Sequence, residues 1–353
     1  MGSTRIWKSS TRLADGREII YYDEIPDSGR ADFADTRELP PAATAPQPAL
    51  VMDWLTHEWV LMSPARQNRT LLPADEQCPL CPSAPGRPSE IPAPGYDVVV
   101  FENRFPALPR GQGRCEVICY SDEHDASFGT LSERRARTVL HAWIDRTAVL
   151  SELPDVWHVY CFENRGEQIG ASLRHPHGQV YALPFVAPHV LRICDTIEQY
   201  ARWEGGDLFE DQIRAAAAAA DLIVARNEHW LACVPPAARW PYQVRFYALP
   251  RVPDLPSLSD AQRDAFGPVY LAVLRALDRI FGSPLPYLAD WQQCPPRHVS
   301  RDARASFALH LDVMSPQRAV GRLKYLASTE SGAGVWSNDV LPEYAARTIR
   351  EAT

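Results

Sequence analysis

The chain has 353 residues, enough for about two domains or one large α/β unit at roughly 150 residues per domain. Hydrophobic residues make up 46% and charged residues 23%, which excludes a disordered, collagen-like or disulfide-scaffold chain. Its 36 basic and 44 acidic side chains leave a net charge of −8, which argues against a general electrostatic grip on nucleic acid or an anionic membrane; any anionic ligand has to be held by local cations.

Residues 1–38 read as an N-terminal appendage that opens Met1-Gly2-Ser3-Thr4-Arg5 with no apolar core of a secretory signal behind it. Residues 39–50 are rich in proline, which supplies no backbone donor, so the spacing predicts an extended connection. Together these form an expected N-terminal extension over 1–50. No run approaches the ~18 apolar residues of a membrane helix. Eight cysteines are too sparse for a disulfide scaffold and suit a reducing, cytoplasmic setting.

Runs of β-branched and aromatic residues bounded by turn residues predict strands at 97–102, 116–120, 157–162, 180–183, 244–249 and 307–313. Between them lie helical patterns at 131–150, opened by Thr130-x-x-Glu133, at about 188–226, and at 260–281, opened by Ser259-x-x-Gln262. The sum is an α+β fold with a mixed, mostly antiparallel sheet flanked by helices. A weak repeat aligns Asn103, Glu116–Ser121 and His175-x-His177 with Asn227, Gln243–Tyr247 and His310-x-Asp312. Two half-units are therefore expected at 51–222 and 223–353.

The strongest local signal is His175-Pro176-His177-Gly178-Gln179. Side chains two apart on an extended segment share a face, so both histidines can serve one site. Proline fixes the backbone between them, and glycine lets a ligand approach it closely. Cys78-x-x-Cys81 is half of a tetrahedral metal site, whose other ligands must come from distant histidines because no second such pair exists. Cys115, Cys119, Cys161, Cys194, Cys233 and Cys294 show no ligand spacing and read as packed thiols.

The histidine stretch, preceded by Phe162-Glu163-Asn164-Arg165-Gly166 and Gly170-Ala171-Ser172, resembles the active-site segment of the galactose-1-phosphate uridylyltransferase family, in the histidine-triad superfamily. Further similar segments are Glu58-Trp59-Val60-Leu61, Ser63–Arg69, Cys78–Cys81, Phe101-Glu102-Asn103, Ser121–His124 and Glu228–Ala232, in consistent order over roughly 52–345.

This resemblance implies two fused histidine-triad-like half-units and a ping-pong transfer of UMP from UDP-glucose to galactose 1-phosphate, releasing glucose 1-phosphate and UDP-galactose. His177 would be the nucleophile, and Gln179 a donor to a phosphoryl oxygen. Arg66 and Arg69 would hold the diphosphate, Phe101 and Asn103 the uracil, and Asn164, Gly170, Ala171 and Ser172 the phosphates. Lys324, Tyr325 and Glu330 would bind the hexose phosphate, often across a dimer interface. His124 and His175 would complete one structural zinc site with Cys78 and Cys81.

Family members often carry Cys at the place of Ala171, Asp at that of Arg104 and Tyr at that of Thr329. A second metal site known in some of them falls here on Ile193, Gln292, His310 and Asp312, too few ligands for an ion; a buried hydrogen bond between His310 and Asp312 is expected instead. The competing readings are a phosphorylase or hydrolase of ADP-sugars or dinucleoside polyphosphates, and a zinc-stabilised nucleotide-binding module without turnover.

Overall fold

In the computed structural model, which describes residues 5–39, 47–64, 67 and 73–353, the apolar runs of the sequence pair as antiparallel strands within each of two units. Unit 1 takes the chain up to Cys161, then Ser172–Pro188 and Pro296–His298; unit 2 takes Phe162–Ala171, His189–Pro295 and Val299–Thr353.

In unit 1 the strands are β1 (Trp7–Arg12), β2 (Glu18–Asp23), β3 (Ala49–Asp53), β4 (Glu58–Met62), β5 (Val98–Glu102), β6 (Arg114–Cys119), the first half of β7 (His158–Arg165), and β8 (His177–Leu183). β3 and β4 form a separate hairpin. The main sheet runs β1-β2-β5-β6-β8, every pairing antiparallel. The described part of the expected N-terminal extension is therefore not an appendage. Ile19 pairs with Phe101 and Tyr22 with Val98, and Tyr21 and Tyr22 are fully buried. The run Glu18-Ile19-Ile20-Tyr21-Tyr22 carries the β-branched and aromatic signal that would have shown this.

Helix α1 (Glu133–Ser151) lies against this sheet, capped by Ser132, whose hydroxyl accepts from the Arg135 amide. The expected cap, Thr130, is instead used in the preceding turn, where its hydroxyl accepts from the Ser127 amide. A buried two-point ion pair ties the helix to β6, with Arg146 Nε and Nη2 each 2.8 Å from the Glu116 carboxylate.

Unit 2 holds the second half of β7, with β9 (Ile223–Arg226), β10 (Trp230–Cys233), β11 (Tyr242–Ala248), β12 (Tyr287–Gln292) and β13 (His310–Ser315). The order is β7-β12-β13-β11-β10-β9, again antiparallel throughout. The helical region expected over 188–226 divides into α2 (Pro188–Glu204) and α3 (Leu208–Ala218), and its end is strand β9. Gly205, at φ +67°, makes the break. Helix α4 (Asp260–Ile280) opens on the expected capping box: Ser259 Oγ accepts from the Gln262 amide, and Gln262 Oε1 from the Ser259 amide.

The expected division at 222/223 differs from these units, which part at Pro188/His189 and split β7, because Phe162–Arg165 pairs with β12. Each unit contains the same succession of two strands, a helix and two strands: β5-β6-α1-β7-β8 and β10-β11-α4-β12-β13.

Candidate active site and metal centre

Strand β8 carries His177, Gln179 and Tyr181 on one face, paired in register with Cys119, Val117 and Cys115 of β6. The carbonyl of Pro176 accepts from the Tyr120 amide at 3.1 Å, which holds the entry to the strand. His177 Nδ1–H donates to the carbonyl oxygen of His175 at 2.7 Å. A carbonyl can only accept, so Nδ1 carries a proton, and in the neutral ring Nε2 is the nitrogen that bears the lone pair. Two residues on, the Tyr181 hydroxyl donates to Gln179 Oε1 at 3.1 Å.

Cys78, Cys81, His124 and His175 converge, with their four ligand atoms within 4.8 Å of one another, so this cluster could bind a metal. Cys81 Sγ is 3.4 Å from His124 Nδ1 and 3.6 Å from His175 Nδ1. The other ring nitrogens test the fit. His175 Nε2 lies 2.8 Å from the Ser121 carbonyl and 2.6 Å from the Tyr96 hydroxyl, which itself donates to the Leu80 carbonyl at 2.9 Å. Those partners require a proton on Nε2 and leave the Nδ1 lone pair facing the cysteines.

His124 Nε2 likewise meets the Asp75 carboxylate at 3.1 Å, a carboxylate–histidine arrangement that fixes the ligating tautomer. Burial pushes His175 down to about 3, keeping it neutral as ligation requires, and pushes the Cys78 thiol up to about 11, so a thiolate there needs a cation beside it. Two thiols and two such imidazoles suit a closed tetrahedral ion.

The remaining residues singled out from the sequence fall as follows. Phe101 is 3% exposed and packs in the core with Ile19, Tyr21, Val117 and Cys119. Asn103 Oδ1 accepts from the Phe105 amide at 2.9 Å, closing the turn after β5. Ser172 is half-buried just ahead of β8. In unit 2, half-buried Asn164 pairs with Leu288, Gly170 is an exposed turn residue at φ +80°, and Ala171 is buried. Lys324 Nζ and Glu330 Oε1 form a buried ion pair at 2.9 Å, and Ser337 Oγ donates to the same carboxylate at 2.9 Å. The Lys324 ammonium holds the Glu330 carboxyl down at about 2. Tyr325, next to this pair in sequence, is 76% exposed. Arg66 and Arg69 lie outside the described residues.

In the second half the expected bond between His310 and Asp312 is replaced. Asp312 is taken by Arg245, with Nε and Nη2 at 2.7 and 2.6 Å from its two oxygens, because Arg245 faces it across the β11/β13 ladder. His310 Nδ1–H donates to the Ala308 carbonyl at 2.8 Å, and burial pushes its pKa down to about 3. The rings of Phe209, Phe307 and Tyr247 surround it. At the histidine segment the repeat therefore aligns two residues away from the sequence expectation: His310 repeats His177, donating to the carbonyl two residues back, and Asp312 repeats Gln179. Asp75, Tyr96, Tyr181 and Arg245 were not singled out from the sequence. Tyr181 could have been, since it continues the alternation of His177 and Gln179.

Fold and site define a protein with a repeated succession of two strands, a helix and two strands, and with a Cys2His2 cluster beside the strand that carries His177. The family described as "Galactose-1-phosphate uridyl transferase, N-terminal domain" matches residues 109–187, and its C-terminal counterpart matches 194–326. A galactose-1-phosphate uridylyltransferase of Streptomyces lividans is 44% identical, covering 98% of this chain and 97% of that protein. One from Thermotoga maritima is 33% identical over 84% of this chain and 96% of its own length. A solved structure titled "Structure of uridylyltransferase" superposes with a TM-score of 0.75 at 27% identity, covering 86% of this chain and 97% of that one. The chain belongs to the galactose-1-phosphate uridylyltransferase family. Among the described residues no helix is long and apolar enough to cross a membrane.

Proposed function

We propose that this chain exchanges UMP between UDP-glucose and galactose 1-phosphate through a uridylyl-histidine formed on His177. The observation that carries this is the bond from His177 Nδ1 to the His175 carbonyl, which leaves Nε2 as the nucleophile. Nε2 attacks the α-phosphorus of UDP-glucose, the bond from that phosphorus to the bridging oxygen breaks, and glucose 1-phosphate leaves with the electron pair. Galactose 1-phosphate then attacks the same phosphorus, the P–N bond breaks, and UDP-galactose leaves while Nε2 regains its lone pair. The Gln179 amide donates to a non-bridging oxygen as charge develops there.

The family resemblance assigns the diphosphate to Arg66 and Arg69, the uridine to Phe101 and Asn103, and the phosphates to Asn164, Gly170, Ala171 and Ser172. It assigns the hexose phosphate to Lys324, Tyr325 and Glu330. The Lys324–Glu330 pair braces the loop that exposes Tyr325, which suits a contact made in a homodimer. Cys78, Cys81, His124 and His175 would hold one zinc ion, which supplies structural charge that fixes the segment leading into β8. Eight cysteines, all free and buried, suit the cytoplasm.

The test is incubation with UDP-glucose labelled in the α-phosphate and no acceptor. An acid-labile, alkali-stable label on the protein, discharged by galactose 1-phosphate, is expected. A wild-type protein that takes up no label while catalysing exchange would overturn the reading.

A further inference from the structure

Gln179 can assist phosphoryl transfer only if its amide turns the NH2 end, and not the oxygen, toward the reacting phosphorus. An unrestrained amide interconverts these two poses by a half-turn about its last torsion, and the wrong pose sets an acceptor against a phosphate oxygen. Something therefore has to tell the two ends apart.

The alternation of β8 puts His177, Gln179 and Tyr181 on one face in that order, so Tyr181 approaches the amide from the side away from His177. Its hydroxyl donates to Gln179 Oε1 at 3.1 Å in a part-buried contact between a 9%-exposed tyrosine and a half-buried glutamine. With the oxygen held on the Tyr181 side, the NH2 is presented on the His177 side. We propose that Tyr181 is a positioning residue that orients the Gln179 amide for transfer of the nucleotidyl group to His177. This rests on the reading of His177 as the nucleophile and adds to it the device that sets the donor.

Because Tyr181 acts through Gln179, its effect disappears when Gln179 is gone. In single-turnover labelling of the full-length protein by UDP-glucose, Tyr181→Phe should slow formation of the uridylyl-protein about 3- to 10-fold, the weight of one intramolecular hydrogen bond, and leave the half-saturating UDP-glucose concentration unchanged. In a Gln179→Ala background the same substitution should change the rate by less than about 2-fold.

Tyr181→Trp offers an indole N–H that can only donate, so it should recover part of the rate lost in the phenylalanine variant. It also serves as the second probe if Tyr181→Phe does not accumulate as folded protein, since it should then remain faster than Gln179→Ala. A wild-type rate in Tyr181→Phe, a loss that persists in the Gln179→Ala background, or a change confined to UDP-glucose affinity would each overturn the proposal. Absence of label in the wild type would overturn the reading of His177 itself, so the two failures are distinguishable.

Discussion

His177 holds its Nδ1 proton on the carbonyl oxygen of His175, 2.7 Å away and two residues back along the same chain. The residue that supplies this carbonyl offers its own imidazole to the cysteine cluster, so in the proposed function the backbone of a zinc-holding residue would set the tautomer of the attacking imidazole. His177→Asn can donate a hydrogen bond near the same place but brings no ring nitrogen. It should remain folded, with an unchanged thermal midpoint, yet form no phosphoramidate and lose on the order of 10⁴-fold or more in exchange rate. Retained labelling in that variant would place the nucleophile elsewhere.

The cluster of Cys78, Cys81, His124 and His175 predicts about one zinc per chain, read by elemental analysis of freshly purified protein. Cys78→Ser should lose the ion and lower the thermal midpoint. Asp75→Ala leaves all four ligands in place and removes only the carboxylate 3.1 Å from His124 Nε2. It should keep the stoichiometry while weakening zinc retention about 10- to 100-fold in competition with a chelator. Equal retention by Asp75→Ala and wild type would show that the carboxylate has no part in holding the ion.

Much of this arrangement was legible in the residues, and the shortfalls have physical causes. The spacing Cys78-x-x-Cys81 survives any detail of packing, and both cysteines enter one cluster with His124 and His175; the strand begins only at His177, so the face expected to be shared with His175 is carried by His177, Gln179 and Tyr181. At the histidine segment the repeat was set two residues out of step. A shift of two leaves every side chain of a strand on its own face, so an alternating pattern cannot detect it; only the matching bonds from His177 to His175 and from His310 to Ala308 fix the register. Arg245 and Asp312 are 67 residues apart in the chain, and nothing local in the sequence joins them. Strand β2 was missed although Ile19–Tyr22 has a strand's composition; what that short run does not carry is the identity of its partner, β5.

The ion pair of Arg245 and Asp312 makes the second half sensitive to loss of one charge. Asp312 is buried and Arg245 half-buried, and the arginine drives the Asp312 carboxyl below its ordinary range against the opposing cost of burial. Asp312→Ala leaves the guanidinium without its carboxylate and should cost about 3 kcal/mol in urea unfolding. Replacing both residues by apolar ones of similar volume should recover most of that loss. A single variant as stable as wild type would mean that solvent reaches the guanidinium and offsets the loss.

Glu163 gives unit 2 a pH dependence of definite sign. Its carboxyl is buried, with Oε1 accepting from the Tyr287 hydroxyl at 2.9 Å, and burial pushes its pKa up to about 7 despite the Arg165 charge nearby. Arg165 is already committed to Asp278, at 2.7 and 3.0 Å. The unfolded chain gives up this proton near pH ~4.3, so between there and about 7 the folded protein binds more protons than the unfolded one. The contribution to stability is complete below the unfolded value and is lost as pH rises through the folded one. Glu163→Gln keeps an acceptor for Tyr287 and never ionises. The unfolding free energies of variant and wild type from urea titration should therefore diverge in the variant's favour between pH 5 and 8, by about 2 to 3 kcal/mol. Titration of buried histidines such as His158 and His310 acts on both proteins alike and cancels in the difference. Parallel stability curves over that range would show that Glu163 ionises within the fold at its ordinary pH.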